Sequence, residues 1–489
     1  MTSKELFIQA FPEDPSIGRD LPNFLVAGLD CDSRAVGKDF VFVAIRGVKQ
    51  DGAAFSAEAA DRGARVIVTE SPALEAGNGD LRVVHVDDSR LAVARLAAVY
   101  FGHPSRALKA VGLTGTNGKT TSAYLLEHLL GAKGKKTGVI GTISTRYGQA
   151  EIPAAETTPG PLKIQKILSE MVRASCEYAV MEVSSHALDQ KRTEGVSFVS
   201  ALFTNLTQDH LDYHGTLENY FESKAKLFLG LGSGAASVLN ADDPWNMKLK
   251  SRLLSKVLTY GIRNSADLRV ENIRWENAST RFDLLWSGKI LKGVSPLVGL
   301  HNVYNVLGAL AVMQSLGFDP ENSLKNLPTF PGVPGRLEKV DLGQDFRVFI
   351  DFAHTPDGLE NVLGSLMPYK SGKLILVFGC GGDRDRGKRP KMAAIASRFC
   401  EQVYVTSDNP RSEDPREIAR EICAGFPENF KRFAVVPDRH QALRQALMAA
   451  RKGDIVLLAG KGHERTQVLK DCVIPFSDRE EAEKVLSGR

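Results

Sequence analysis

The chain has 489 residues, 43% of them hydrophobic, with 62 Lys and Arg against 58 Asp and Glu. That length supplies two or three cores of ~150 residues each, and the composition excludes an intrinsically disordered chain. A formal net charge of +4 excludes the dense basic stripe of a nucleic-acid binder and suits a small acidic ligand better. Cys31, Cys176, Cys380, Cys400, Cys423 and Cys472 form no CxxC pair, and so few cysteines in so long a chain read as reduced thiols. The opening "MTSKELFIQAFPEDPSIG" lacks a basic-then-apolar leader, and no apolar run reaches the ~18 residues that cross a bilayer. A cytoplasmic monomer without membrane insertion is expected.

Along the chain, short apolar runs end in Gly, Asp, Asn or Ser before a helical pattern: "KAVGLTG", "YAVMEVSS", "FVSALFTN", "FRVFIDFAH", "KLILVFGCGGD", "QVYVTSDNP" and "DIVLLAGKG". Strands alternating with helices predict an α/β fold whose parallel sheets are covered on both faces. Ligands of such sheets sit at the carboxyl ends of the strands. The Pro/Gly-rich stretches "YFGHPSRALK" and "LPTFPGVPGRLE" read as joints, giving three domains at 1–90, 91–334 and 335–489. Segment 262–298 alternates apolar and polar residues, as an antiparallel meander on the middle domain would.

After the run "AVGLT" come Gly115, Thr116, Asn117, Gly118, Lys119, Thr120 and Thr121. Glycines let backbone N–H groups close on phosphate oxygens, a lysine neutralises terminal phosphates, and a hydroxyl reaches Mg²⁺. The first glycine of the general GxxxxGK[ST] pattern falls on Leu113, so the loop is a shortened variant. Metal ligands are sought at neighbouring strand tips: Glu182 ends "YAVME" and His210 follows "FTNLTQD". Either residue alone also suits a solvated or capping position. No guanine-reading NKxD run is present, which excludes a switch GTPase.

The motifs "GTNGKTT", "MEVSSHAL", "TNLTQDHLDYHG", "YFESKAKLF", "GLHNVYN", "GRLEKV", "DFAHTPDGLE", "GCGGDRDRGKRPKM", "DNPRSEDP" and "AGKGHE" run in the order found in the Mur ligases of peptidoglycan synthesis. The chain resembles that family over nearly its whole length. The resemblance implies an N-terminal α/β domain for a UDP-sugar, a central P-loop-type ATPase sheet and a C-terminal Rossmann-like domain that brings an amino acid. It implies ATP and Mg²⁺ as cofactors, with a UDP-N-acetylmuramoyl dipeptide and meso-diaminopimelate as substrates. The γ-phosphate would pass to a carboxylate, because an acyl phosphate offers the leaving group that a carboxylate oxygen does not.

Lys224, from its residues alone a lysine on a solvated helix face, matches the family's carbamylated lysine, an anionic metal ligand beside Thr120 or Thr121, Glu182 and His210. Asn302, Asn305, Arg336, Asp351 and His354 match adenine and ribose contacts; singly, such Asn and Asp residues are more often turn formers. Phe352 stands where the family commonly has tyrosine. Ser33 and Arg34 match N-terminal UDP-sugar contacts, and Ala53 replaces a usual histidine there. Thr157, Thr158, Ser184, Gln190 and Arg192 match central-domain substrate contacts, although Arg192 equally suits a surface ion pair. Asp408, Asn409, Pro410 and Arg411 form the DNPR turn that implies diaminopimelate rather than lysine, its guanidinium gripping the second carboxylate. Arg389, Gly460 and Glu464 complete that expected site. The alternative role for Arg411 is only to anchor the turn before the helix near Pro415. The alternatives are a lysine-adding Mur ligase, a folylpolyglutamate synthase, and a nucleotide-gated regulatory protein.

Overall fold

The computed structural model describes residues 1–47, 50–74, 80–276 and 279–488. By their contacts they divide into two compact units, Met1–Leu268 with Gly308–Pro320, and Arg269–Leu307 with Glu321–Arg489. Among the described residues no helix is long and apolar enough to cross a membrane.

The first unit opens with a parallel sheet in the order β1 (Gly28–Asp30), β2 (Phe40–Ala44), β3 (Ala64–Thr69) and β4 (Arg82–His85). Val41, Val43, Val66 and Val68 pack on Leu6 and Phe7 of helix Ser3–Ala10 and on Val93 and Leu96 of helix Ser89–Tyr100. Asp88 caps the latter helix by accepting from the Leu91 N–H, which satisfies one of its orphan donors.

A second sheet follows, made of β5 (Lys109–Thr114), β6 (Thr137–Ile140), β7 (Ser144–Tyr147), β8 (Ala150–Pro153), β9 (Tyr178–Glu182), β10 (Phe198–Phe203), β11 (Ala236–Asn240) and β12 (Lys256–Gly261). Its order is β12-β11-β10-β5-β9-β6-β7-β8, parallel from β12 to β6 and antiparallel through β7 and β8. β9 and β11 are buried at every residue, as strands covered on both faces must be. Helix Pro161–Arg173 turns Ile164, Ile167, Leu168 and Met171 onto the sheet, one stripe of a 3.6-residue period. β5 lies between β9 and β10, so the chain leaves it to both sides in turn and opens a crevice at its carboxyl end.

In the second unit, β13 (Leu268–Glu276, from Arg269 onward), β14 (Ser279–Trp286) and β15 (Lys289–Ser295) form the expected meander. Ser287 and Gly288 both have positive φ, the twist that a two-residue hairpin turn needs. The contact division puts Arg269–Leu307 in the second unit, where the Trp275 ring lies 5.8 Å from that of Tyr369. The last large sheet runs β16 (Glu338–Val340), β17 (Arg347–Asp351), β21 (Ile455–Ala459), β18 (Leu374–Phe378), β19 (Gln402–Val405), β20 (Phe433–Val435), with only β16 antiparallel. Leu374, Leu376 and Phe378 face one core while Ile375 and Val377 face the other, the period of two that a central strand imposes. A short pair, β22 (Thr466–Val468) and β23 (Val473–Pro475), completes the unit.

Candidate active site

The loop after β5 is built by close backbone approach. Gly118 has φ +87°, and a Cβ on Gly115, φ +144°, would overlap the Thr204 hydroxyl, so both positions need glycine. The tip of β10 straps the loop down. The Thr116 N–H donates to Asn205 O at 2.9 Å, and the Asn117 N–H to Asn205 Oδ1 at 3.0 Å. The Thr204 hydroxyl and the Asn205 amide both donate to Asn117 O.

Two lysines converge on one carbonyl of this loop. Lys119 Nζ donates to Gly115 O at 2.7 Å and to Thr116 O at 2.9 Å. Lys224 Nζ, from helix Leu217–Leu229, donates to Gly115 O at 2.9 Å. Lys224 is 1% exposed and lies 4.5 Å above the Tyr220 ring, not on the solvated face that its helix pattern alone allowed. Burial pushes its pKa well below the ordinary lysine value, and the positive charge of Lys119 pushes the same way against the opposing Asp209. The amine is driven toward its neutral, nucleophilic form.

Glu182, at the end of β9, is 1% exposed. Its Oε2 accepts from the Thr120 hydroxyl at 2.9 Å and the Thr142 hydroxyl at 2.8 Å, and its Oε1 from the Thr142 N–H at 2.9 Å. These donors are all neutral. A buried carboxylate held by neutral donors suits a bound cation, and the hydroxyl oxygens of Thr120 and the buried Thr121 are of the type Mg²⁺ takes. Among the described residues no three His, Cys, Asp or Glu side chains form a cage that could hold a metal by themselves. His210 sits at φ +51°, its ring 4.9 Å from that of His186 and 6.1 Å from that of Tyr220, on the Lys224 side of the loop.

Of the residues expected to meet the acidic substrate, those of the middle of the chain lie beside Glu182. Thr157 Oγ1 lies 3.2 Å from Thr142 Oγ1. Thr158 Oγ1 donates to Glu182 O at 2.8 Å and accepts from the Ser184 N–H at 3.0 Å. Arg192 pairs with Glu156, donates to Thr158 O at 2.8 Å, and holds Gln190 Oε1 through Nε and Nη2. Ser184 caps helix Ser185–Asp189 by accepting from the Ala187 N–H. On the 3₁₀ turn Ser33–Ala35 after β1, Ser33 donates to Glu58 at 2.6 Å, while Arg34, 78% exposed, is paired with Asp32.

In the second unit, Asp351 accepts from the Leu337 N–H at 2.7 Å and the Ala353 N–H at 2.8 Å; burial raises its pKa against the pull of Arg336. Arg336 lies 5.1 Å over the Phe352 ring, which also meets His354 and His463. Asn302 and Asn305 are buried and their amides donate inward, to Val298 O at 2.8 Å and Asn302 Oδ1 at 2.9 Å.

The DNPR turn packs on the loop after β18. The Gly382 N–H donates to Asn409 O at 2.9 Å, and a Cβ on Gly382 would overlap Pro410 O. Arg411, φ +51°, donates through Nη1 to Gly382 O at 2.8 Å. Gly460, φ +111°, leaves room for Asp408 Oδ2, which a Cβ would crowd at 2.6 Å. Glu464 accepts from the buried Lys461 at 2.8 Å and from Asn409 at 2.9 Å, so an ammonium ligand would share it with Lys461.

Arg389 requires a correction. Expected in the amino-acid site, it is instead 0% exposed, and its guanidinium is spent on Glu413 at 2.9 Å, Glu421 at 2.7 Å and Gly381 O. Arg384, five residues earlier, is exposed on the loop between β18 and helix Lys388–Phe399, and its stem and the Arg411 guanidinium border one glycine, Gly381. Nothing local in "GDRDRGKR" ranks its four basic residues, so the sequence alone does not single out Arg384.

A shortened phosphate loop at the switch point of a parallel sheet, with the buried Lys224 and the half-buried Lys119 converging on it, defines a nucleotide-using α/β enzyme. Family models match it in three places: the Mur ligase family, catalytic domain over 25–101, the Mur ligase middle domain over 113–313, and the Mur ligase, glutamate ligase domain over 335–462. The chain is 43% identical over 470 residues to the UDP-N-acetylmuramoyl-L-alanyl-D-glutamate--2,6-diaminopimelate ligase of Geobacillus thermodenitrificans (strain NG80-2), covering 95% of each. It is 44% identical over 484 residues to the enzyme so named in Thermosynechococcus vestitus (strain NIES-2133 / IAM M-273 / BP-1), covering 98% of this chain and 95% of the other. A solved structure of a ligase with that name superposes with TM-score 0.74 at 32% identity, over 99% of this chain and 98% of the other. Folylpolyglutamate synthase of Mycobacterium tuberculosis shares the fold alone, with TM-score 0.62 at 19% identity over 80% of this chain and 93% of that one. The chain belongs to the Mur ligase family, whose members are ATP-dependent ligases that form amide bonds, and it has their three-domain α/β fold.

Proposed function

We propose that this protein joins meso-diaminopimelate to the D-glutamate of UDP-N-acetylmuramoyl-L-Ala-D-Glu at the expense of ATP, with domains at 1–90, 91–334 and 335–489. The observation that carries the reading is the similarity, at 41–44% identity over at least 94% of the chain, to ligases named for that reaction. The geometry supports it: the lysines converging on Gly115 O stand next to the threonine strap that meets Glu182.

Lys119 leaves its carbonyl partners to neutralise the γ-phosphate as it moves to the glutamate carboxylate. Mg²⁺, when bound, supplies further charge neutralisation; Thr120 or Thr121, Glu182, His210 and the Lys224 carbamate would hold it. Thr157, Thr158 and Arg192 orient the acceptor dipeptide, and the amine displaces phosphate from the acyl phosphate. Arg336, Asp351 and His354 meet the nucleotide. Arg411 and Arg384 grip the carboxylate that distinguishes diaminopimelate from lysine.

The test supplies ATP, Mg²⁺ and the UDP-muramoyl dipeptide with either diaminopimelate or lysine, and weighs the products. ADP, phosphate and a diaminopimelate adduct are expected. A lysine adduct in preference would move the chain to the lysine-adding branch, and no adduct at all would favour a regulatory nucleotide-binding protein.

A further inference from the structure

Thr142 belongs to no motif considered above, yet it makes two of the three hydrogen bonds to the Glu182 side chain. It follows β6, the neighbour of β9, so its backbone arrives beside the carboxylate. Gly141 completes the socket: a Cβ there would stand 2.5 Å from Glu182 Oε1. The hydroxyl carries one proton, and at 2.8 Å that proton goes to Glu182 Oε2. The 3.2 Å contact with Thr157 must therefore be donated by Thr157. A directed chain results, Thr157 to Thr142 to Glu182, with Thr120 donating to the same oxygen from the other side.

We infer that Thr142 is a positioning residue that fixes the Glu182 carboxylate for a divalent cation and ties its orientation to the strap carrying Thr157 and Thr158. This rests on the proposed role of Glu182 as a metal ligand. Residues that hold a ligand's second oxygen set its direction, and their loss commonly weakens metal binding about 10- to 100-fold.

The experiment measures the affinity of the full-length protein for a non-hydrolysable ATP analogue with and without Mg²⁺, together with the melting temperature. In the parent protein Mg²⁺ is expected to tighten binding. Thr142→Val is expected to shrink that gain about tenfold with an unchanged affinity in the absence of Mg²⁺, and Thr142→Ser to restore it. Gly141→Ala, which crowds Oε1 without removing a hydroxyl, gives the same loss and serves where the valine variant does not fold. A lowered melting temperature with the Mg²⁺ gain intact in both variants overturns the inference. Glu182→Gln separates the two levels: if it also leaves the gain intact, the metal-ligand reading of Glu182 fails and takes the inference with it.

Discussion

Arg439 and Asp478 meet as a two-pronged pair, Nε to Oδ1 at 2.7 Å and Nη2 to Oδ2 at 2.6 Å, with neither side chain exposed. The pair ties helix Arg439–Ala449 to helix Asp478–Ser487, and Nη2 also donates to Ala459 O at 3.1 Å, the last residue of β21. Removing one partner strands the other's charge in the core, so Asp478→Ala should cost about 3–5 kcal/mol. Replacing both by apolar residues of similar volume should recover most of it. Urea unfolding of the three variants checks this; equal stabilities for single and double variants would refute it.

Acid should loosen the second unit. Arg386 and Arg389 hold Glu421 down to about 2 from an ordinary 4.5, and Arg389 also lowers Glu413. A carboxylate whose folded pKa is depressed stabilises fully above its unfolded value and loses that contribution as pH falls through the folded one. The melting temperature should therefore fall between pH 4.5 and about 2. Glu421→Gln should lower it at pH 7 and flatten the fall, and a parallel curve for the variant would contradict the assignment.

Lys224 is expected to carry CO₂. In buffer with ¹³C-labelled bicarbonate the protein should show one carbamate carbon resonance that Lys224→Arg lacks. Lys224→Ala should lose ligase activity by at least about 100-fold, a modest share of what charge stabilisation at a phosphoryl group supplies. Full activity in the alanine variant would end the proposal.

Three arginines within one short region should part company. Arg384→Ala and Arg411→Ala should each raise KM for diaminopimelate about 10- to 100-fold, since a hydrogen bond to a charged group is worth about 1.5–3 kcal/mol. ATP affinity should stay as it was. Arg389→Ala should instead lower the melting temperature, because Glu413 and Glu421 lose the guanidinium that binds both. A KM effect at Arg389 with unaltered stability would return it to the amino-acid site.

What could be read in the sequence was whatever depends on neighbours along the chain. "KAVGLTG" became β5 and "YAVMEVSS" became β9 because an apolar run closed by a turn former is a local signal. The 262–298 meander was visible for the same reason. Pairings across the chain were not. Arg389 is claimed by carboxylates 24 and 32 residues away, Glu464 is shared with a lysine whose burial no pattern announces, and a threonine after a strand, like Thr142, is too common to single out. Lys224 lay between: its helix was evident, and its burial came only with the packing against Tyr220 and Gly115.

The hydrogen bonds on Glu182 also bear on ion choice. A carboxylate has about four lone-pair directions, and three are taken, two of them on Oε2. One direction remains, on Oε1, so a cation can be gripped through a single oxygen only. Ca²⁺, which often takes both oxygens of a carboxylate in a larger and looser shell, would have to break a threonine bond to do so, whereas Mg²⁺, small and content with one oxygen in an octahedron, would not. With Glu182 as the proposed metal ligand, a preference for the smaller ion would follow from the two threonine hydroxyls that occupy Oε2, and one of them, that of Thr142, need never touch the metal.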